Sequence, residues 1–457
     1  MTEREVDLVV IGTGPGGEAL ATGAAKAGLD VVAVEKHLVG GECPYYGCIP
    51  TKMMVRGSDV VAEVRRAAAV AGEATISPAW SAVARRINEE ATTGWDDSIA
   101  WDRLLDAGAT VRHGVARLTG VGRVAVDVAG ELQTFTARRG VVLNPGTRPA
   151  IPPIDGLADT PYWTNRDAVR ATELPGSVVI VGGGAIGCEL AQVFARFGVR
   201  VTVVQHGLRL LAADEPEASA LVAEAFAAEG IRVLTGVEPR RASYADGSFT
   251  LDLDTGEQLS ADKLLVAAGR TPNLDDLGLE TVGLDPATRV LETDERLRVQ
   301  ERLWAIGDVT GKGAFTHVSM YQSAVALRDV LGEEGAPARY HAVPHTTFTD
   351  PEVGGVGMTE QQARDAGLSV RTGLTRLEQS SRGFTHGPGG HGVIKVVEDA
   401  DRGVLVGATA MGPAGGEILG FLAVAVHAEV PVDTLRTMIY AYPTFHRAIE
   451  SALADLS

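Results

Sequence analysis

The sequence predicts an α/β chain with two Rossmann-like dinucleotide-binding units and a C-terminal α+β segment. Three observations predict it: a βαβ pattern with a glycine-rich turn at residues 7–35, a second copy at 178–205, and a last stretch, 345–457, without such a turn. The chain has 457 residues, consistent with roughly three domains on a soft prior of about 150 residues each. Apolar residues at 45% and charged residues at 22% describe an ordinary globular protein with ample core. A net charge of −18 argues against a nucleic-acid or membrane-surface partner, since both call for basic patches. No apolar run reaches the roughly 18 residues that span a bilayer. The charged residues 1–7 lead straight into a strand, so no signal peptide is expected.

The first unit opens with the apolar strand 7–11, then Gly12-Thr-Gly14-Pro-Gly-Gly17 and an Ala-rich helix to about residue 27. A second strand, 30–34, ends at Glu35, 23 residues after Gly12. Gly12 allows the tight turn, Gly14 lets the backbone approach a pyrophosphate, and Gly17 lets helix and strand pack closely. The helix N-terminus faces the phosphates and Glu35 can bind a ribose diol.

The stretch 40–52, Gly-Gly-Glu-Cys-Pro-Tyr-Tyr-Gly-Cys-Ile-Pro-Thr-Lys, places Cys43 and Cys48 five positions apart ahead of a helical pattern. With Pro44 and Gly47 between them, the two cysteines can close a small disulfide ring. Cys48 falls at or just before a helix N-terminus, whose partial positive charge favours a thiolate. The pair is therefore a candidate two-electron store. The chain has only 3 cysteines, which is no secreted disulfide framework. A zinc site needs about four ligands, and no second Cys or His pair lies at suitable spacing, so no metal is expected. Cytoplasmic redox chemistry is the better reading.

Helical patterns follow at 53–70 and around 79–107, then strand-like runs at 110–127 and 134–143. The prolines at 149, 152 and 153 mark a crossing between domains. The second unit repeats the first: strand 178–181, turn Gly182-Gly-Gly184-Ala-Ile-Gly187, a helix opened by Cys188-Glu189-Leu190, and strand 201–204. Its end falls at Gln205, again 23 residues after the first glycine of the turn. Two dinucleotides bound side by side follow, against the plainer alternative of a duplicated scaffold with one empty site. Gln205 has no carboxylate to repel a 2′-phosphate. With His206 and Arg209 just beyond, the unit leans towards NADPH, NADH remaining open; the same two residues read equally as solvated loop. Beyond it lie a strand and turn through Gly269 to Asn273, a strand ending at Gly307-Asp308, and a helix at about 316–331.

With these pieces in place the chain resembles the flavoprotein disulfide reductases, the group of glutathione reductase, dihydrolipoamide dehydrogenase, mycothione reductase and mercuric reductase. The resemblance covers nearly the whole length. It rests on Gly12-x-Gly14-x-x-Gly17 with Glu35, Gly41-x-Cys43-x4-Cys48-x-Pro50-x-Lys52, Gly182-x-Gly184-x-x-Gly187, Ala268-Gly269-Arg270-x-Pro272-Asn273 and Gly307-Asp308. It implies an FAD-binding domain over 1–150, an NAD(P)-binding domain over 151–272, a return segment over 273–338 that completes the first, and a dimerisation domain over 339–457. It implies FAD on the first unit and on Asp308, NAD(P)H on the second, and a homodimer whose copies complete each other's sites. Cys48 is then the flavin-side thiol and Cys43 the outer, interchange thiol. Lys52 is expected beside the flavin, paired with Glu189.

Departures from the family pattern carry information. The family's C-terminal His-x-His-Pro-Thr-x-x-Glu run is here Tyr440-Ala-Tyr442-Pro443-Thr444-Phe445-His446-Arg447. Tyr442 stands where the catalytic His belongs, and a phenol with pKa near 10 is a poor base at neutral pH, although it can donate a proton. His446 and Glu450, spaced i, i+4, offer a substitute His–carboxylate dyad. Asn144-Pro145-Gly146 replaces an Ala-Thr-Gly turn and reads as a local backbone change without chemical consequence. The missing metal-binding extension argues against mercuric ion reduction, and the lack of any cysteine after Cys188 argues against mercuric ion and thioredoxin reduction alike. The first function is therefore an NAD(P)H-dependent disulfide oxidoreductase acting on a small disulfide. The second is a flavin reductase of quinones or other small acceptors, which needs no dithiol and no base. The third is a redox-sensing flavoprotein.

Overall fold

The computed structural model describes residues 2–457, so Met1, the first residue of the expected 1–150 domain, lies outside the described residues. The chain divides into two compact units: residues 1–50, 85–149 and 270–340 form one, and residues 51–84, 150–269 and 341–457 the other. Residues 51–84, placed by the sequence in the first domain, thus pack with the second unit.

In the first unit the strand Thr2–Ile11 is central, paired in parallel with Glu131–Leu143 on one side and Val31–Glu35 on the other. Val31–Glu35 pairs in turn with Thr110–His113, and Leu303–Ala305 extends the opposite edge. Alternation along the central strand sends Val9 and Ile11 into one core and Leu8 and Val10 into another, and the irregularity between Val6 and Leu8 puts Val6 with the first. A parallel sheet covered on both faces gives continuous apolar strands of this kind. The strand begins at Thr2, five residues earlier than its apolar run.

The second unit holds a parallel four-stranded sheet in the order Arg232–Thr235, Arg200–Gln205, Ser177–Val181, Lys263–Val266. Its C-terminal part is an antiparallel five-stranded sheet, Pro344–Thr347, Glu352–Gly357, Val404–Gly412, Val393–Asp399 and Val370–Arg376. Helices Gly415–His427 and Ala448–Ala454 bury Leu419, Leu422, Ile449 and Leu453 against it. No helix among the described residues is long and apolar enough to cross a membrane.

The two glycine turns are built alike. Gly12 and Gly182 have φ of +90° and +116°, and a Cβ on either would strike the carbonyl oxygen of Asn144 or Ala267 at 2.1 or 2.3 Å. A Cβ on Gly17 or Gly187 would meet the carbonyl oxygen of Gly12 or Gly182 at 2.0 Å. Both positions exclude any other residue, for conformation in one case and close helix–strand packing in the other.

The helix Ala185–Arg196 that follows the second turn carries an unusual buried polar face: Glu189, Gln192 and Arg196. Arg196, 2% exposed, pairs with Asp59 at 2.9 Å, Glu229 at 2.8 Å and Asp350 at 2.6 Å. Burial pushes the Asp59 carboxyl up to about 6 despite that guanidinium. Gln192 takes both backbone groups of Asp350, its Nε2 donating to the carbonyl at 2.8 Å and its Oε1 accepting the N–H at 2.7 Å. Removing the guanidinium takes the cation from three clustered carboxylates, leaving Asp350 to Arg66 at 2.6 Å and Glu229 to Gln192 Nε2 at 2.9 Å. Arg196→Met is therefore expected to cost about 3–5 kcal/mol in chemical denaturation; a loss below about 1 kcal/mol would show that the cluster is solvated.

Candidate active site

The first unit holds the cysteine pair. The short helix Glu42–Tyr45 and the 19-residue helix Cys48–Arg66 meet at Gly47, whose Cβ would lie 3.2 Å from the Glu42 carbonyl oxygen and 3.6 Å from Cys43 Cα. That tight junction brings the two sulfurs together, with Cys48 as the first residue of its helix. Both are free thiols in the structure. The Cys43 thiol is held well above the ordinary thiol range, first by its hydrogen bond to Cys48 and next by burial. Thr316 Oγ1 lies 3.5 Å from Cys48 Sγ. Nothing in the sequence singled out Thr316, which lies 268 positions away in the chain.

Cofactor-cradle residues surround the glycine turn of the same unit. Glu35 Oε2 accepts from the Thr13 N–H at 2.8 Å, and its Oε1 from the His37 N–H at 2.9 Å, so the carboxylate is fixed at the strand end with lone pairs left for a ribose. Asp308 accepts from Thr147 Oγ1 at 2.6 Å, and that hydroxyl accepts from Arg270 Nε at 2.6 Å, a relay that orients the carboxylate. Gly307, at φ +78°, donates its N–H to Gln322 Oε1 at 2.6 Å. Asn144 corrects the sequence reading. It is buried at 6%, and with its amide turned so that both ends find partners, the nitrogen donates to the Ile306 carbonyl at 3.2 Å and the oxygen accepts from the Gly17 N–H at 3.0 Å. It therefore ties the turn to the Gly307–Asp308 strand end instead of being a bystander.

In the second unit, Lys52 Nζ lies 2.6 Å from Glu189 Oε2, with Glu189 6% exposed. The other Glu189 oxygen accepts from the Phe348 N–H at 2.9 Å, and Lys52 Nζ sits 4.6 Å from the Phe348 ring centroid. A buried carboxylate with one cation and one N–H donor is well satisfied. Phe348 gave no signal in the sequence beyond a strand-like run.

The second glycine turn offers an open cradle: a Cβ on Gly184 would meet nothing within 4 Å. Gln205 Oε1 accepts from the Gly183 N–H at 2.8 Å, the same bond that Glu35 makes in the first unit. Gly269, at φ +109°, closes its turn by accepting the Ala150 N–H at 2.9 Å. The expected role of Arg209 does not hold. Its guanidinium donates to the carbonyls of Asp214 at 2.6 Å, Ala212 at 2.8 Å and Leu211 at 3.3 Å, and to Ser219 Oγ at 2.6 Å. It clamps its own loop. His206 pairs with Glu238 at 2.7 Å.

The expected His446–Glu450 dyad is not formed. The last helix spans Ala448–Ala454, so His446 precedes it and the i, i+4 geometry with Glu450 is not formed. Glu450 pairs instead with Arg447 at 3.1 Å, and the Arg447 guanidinium lies 5.5 Å from the Tyr442 ring centroid. The His446 ring packs at 6.3 Å from that of Tyr440. Tyr442 is 68% exposed.

Comparison with known proteins follows this geometry. A family model described as pyridine nucleotide-disulphide oxidoreductase matches residues 6–325, and its dimerisation-domain counterpart matches 343–453. The mercuric reductase of Acidithiobacillus ferrooxidans is 31% identical over 453 residues, 98% of this chain and 82% of that one. The dihydrolipoyl dehydrogenase of Halobacterium salinarum is 33% identical over 462 residues, 98% of this chain and 95% of that one. Among solved structures, a Cu(II) complex of the HOCl-induced flavoprotein disulfide reductase RclA from Escherichia coli superposes with a TM-score of 0.87 at 26% identity, covering 99% of both chains.

Asn144→Ala removes two buried bonds at the turn. It is expected to lower stability by about 1–3 kcal/mol and to loosen FAD, measured as melting with and without added FAD. Unchanged melting and unchanged flavin retention would return Asn144 to a passive role.

Proposed function

The chain belongs to the pyridine nucleotide-disulphide oxidoreductases, and from that premise we propose that its acceptor is a small disulfide, reduced at Cys43 and Cys48. It is an FAD-dependent NAD(P)H:disulfide oxidoreductase with a C-terminal dimerisation domain. The observation that carries the choice of acceptor is the hydrogen bond between the two thiols at the start of the Cys48–Arg66 helix. FAD, when bound, links the two-electron nicotinamide donor to the sulfurs. Gly12, Gly14, Gly17, Glu35 and Asp308 would hold it, while Lys52 pairs with Glu189 at 2.6 Å within the second unit.

The remaining chemistry belongs to this chain. Cys43, its proton passed to Cys48, attacks one sulfur of the substrate as a thiolate and forms a mixed disulfide; the expelled thiolate takes that proton from Cys48 and leaves as the first product thiol. Cys48 as thiolate then attacks Cys43 Sγ, closing the Cys43–Cys48 bond and expelling the second. The raised Cys43 pKa means its proton must leave first, and no imidazole–carboxylate pair stands at Tyr442 to take it. Cys48, already hydrogen-bonded to that thiol, is the available acceptor. The thiolate fraction of Cys43 therefore grows as pH rises towards its raised pKa. Disulfide turnover (kcat/KM) should climb steadily between about pH 7 and about pH 9, without the neutral plateau that an imidazole base gives. A plateau below about pH 7.5 would reveal another base.

A homodimer completes each site in this reading: the C-terminal part exposes Phe384 at 82%, Ile439 at 96% and Tyr442 at 68%, a surface suited to a second copy. Tyr442 then offers a phenolic proton to the second departing thiolate and regains one from solvent. A cytoplasmic location suits a dithiol that must cycle. For the nucleotide, Arg209 is spent on backbone carbonyls and His206 is paired with Glu238, so both cations that argued for a 2′-phosphate are already engaged. NADH is the donor at least as readily as NADPH, and a preference for NADPH above about tenfold in kcat/KM would overturn that.

One observation favours a second reading, reduction of quinones or other small acceptors: Arg447 takes Glu450 and leaves Tyr442 without a base. The relatives' names add a dihydrolipoyl group and mercuric ion, both partners for a dithiol. A panel of lipoamide, glutathione disulfide, mercuric ion and a quinone separates these. Cys43→Ser should abolish disulfide turnover by more than about 100-fold; quinone turnover that exceeds disulfide turnover and survives that change would favour the second reading.

A further inference from the structure

The segment that carries Cys43 is anchored largely from outside itself. Gly40 and Gly41, at φ +107° and +71°, have no side chains to pack, and they lead straight into the short helix Glu42–Tyr45. On one side the Gly40 N–H donates to the Thr13 carbonyl at 2.9 Å, which ties the segment to the glycine turn. On the other, both backbone groups of the fully buried Val39 are taken by side chains. Asp97 Oδ2 accepts the Val39 N–H at 2.7 Å, and the Tyr45 hydroxyl donates to the Val39 carbonyl at 3.2 Å. Tyr45 shares its helix with Cys43, so this second bond joins the cysteine helix to the peptide that Asp97 holds.

Asp97 is placed to cap a helix and does not. It is the N-cap of Ser98–Asp106, yet its side chain makes no capping bond; Asp96 Oδ1 accepts the Ser98 N–H instead, at 2.8 Å. An N-cap carboxylate ordinarily serves the first N–H groups of its own helix. Here its oxygen is given to Val39, and His113 Nε2 lies 3.2 Å from the same atom. The His113 ring stacks on Trp101, one turn along the Asp97 helix, with centroids 4.8 Å apart and planes 25° apart. Asp97, its side chain 16% exposed, is thus fixed both by its own helix and by the strand Thr110–His113. A carboxylate so anchored is a rigid acceptor, and its bond falls on the last peptide before the two glycines.

We propose that Asp97 is a positioning residue for the sulfur pair: through Val39 it holds the Cys43 helix where Cys43 Sγ can close on Cys48. The proposal rests on reading the pair as the electron store, and it adds the group that sets how readily that store closes. A disulfide is favoured in proportion to the effective concentration of one sulfur at the other, and a tether that narrows the travel of the Cys43 segment raises it.

The test equilibrates the flavin-loaded enzyme anaerobically, without nicotinamide, in dithiothreitol buffers of graded oxidised-to-reduced ratio. The Cys43–Cys48 bond closes as the dithiothreitol ring opens, so two electrons and two protons pass from one dithiol to the other disulfide. Alkylation and peptide mass spectrometry give the closed fraction. Asp97→Ala should lower the equilibrium constant for the Cys43–Cys48 disulfide by about tenfold, the change expected for one buried hydrogen bond. Asp97→Asn keeps an oxygen for the Val39 N–H and should stay within about threefold of native. Tyr45→Phe removes the other bond to Val39 and should lower the constant by about three- to tenfold. If the Ala variant does not fold, the Phe variant decides. General destabilisation does not move an equilibrium read within the folded enzyme. Constants within about twofold of native in the Ala and Phe variants, or an Asn variant shifted as far as Ala, would overturn the proposal alone. A native enzyme that forms no Cys43–Cys48 disulfide under oxidised dithiothreitol would overturn the electron-store reading beneath it.

Discussion

A single hydrogen bond between two sulfurs, Cys43 and Cys48, is the constraint from which the chemistry of this chain follows. It raises the proton affinity of Cys43, so a symmetric-looking pair becomes an unequal one. The bond exists because Gly47 lets the short helix Glu42–Tyr45 turn immediately into Cys48–Arg66. The helix start then adds its dipole at Cys48. Local backbone geometry, thiol acidity and the order of attack are one continuous consequence.

The second unit is ordered by a different device. Glu189, Gln192 and Arg196 lie on one face of Ala185–Arg196, and each is satisfied by groups from elsewhere in that unit. Glu189 holds Lys52 and the Phe348 N–H; Gln192 and Arg196 hold Asp350. The segment 348–350 is thus fixed to the nucleotide helix by charge and hydrogen bonds instead of apolar packing. Buried polar contacts of this kind have demanding geometry, so they orient the Lys52 cation more narrowly than a greasy contact could.

The glycine turns, the helix start at Cys48 and the helix at 316–331 were legible in the sequence because backbone geometry dictates residue type. At Gly12 and Gly182 only glycine survives both the positive φ and the carbonyl beside it. What escaped were contacts made by ordinary residues across long separations: Thr316 to Cys48, Phe348 to Glu189, Asn144 to Gly17. Arg209 misled because a basic residue near a ribose site reads alike whether it faces phosphate or its own loop. Four oxygen acceptors at 2.6 to 3.3 Å decided the matter. His446 misled because i, i+4 spacing means proximity only inside a helix, and the helix starts two residues later, at Ala448.

The central claim is that reducing equivalents from the nicotinamide come to rest on this sulfur pair before they leave the protein. Thiol counting during anaerobic titration with NADH or NADPH tests it most directly. One equivalent of nucleotide should convert an air-oxidised enzyme, with Cys43 and Cys48 both closed to alkylation, into one with two newly labelled cysteines at those positions. Consumption of the same equivalent with neither cysteine becoming labelled would contradict the account.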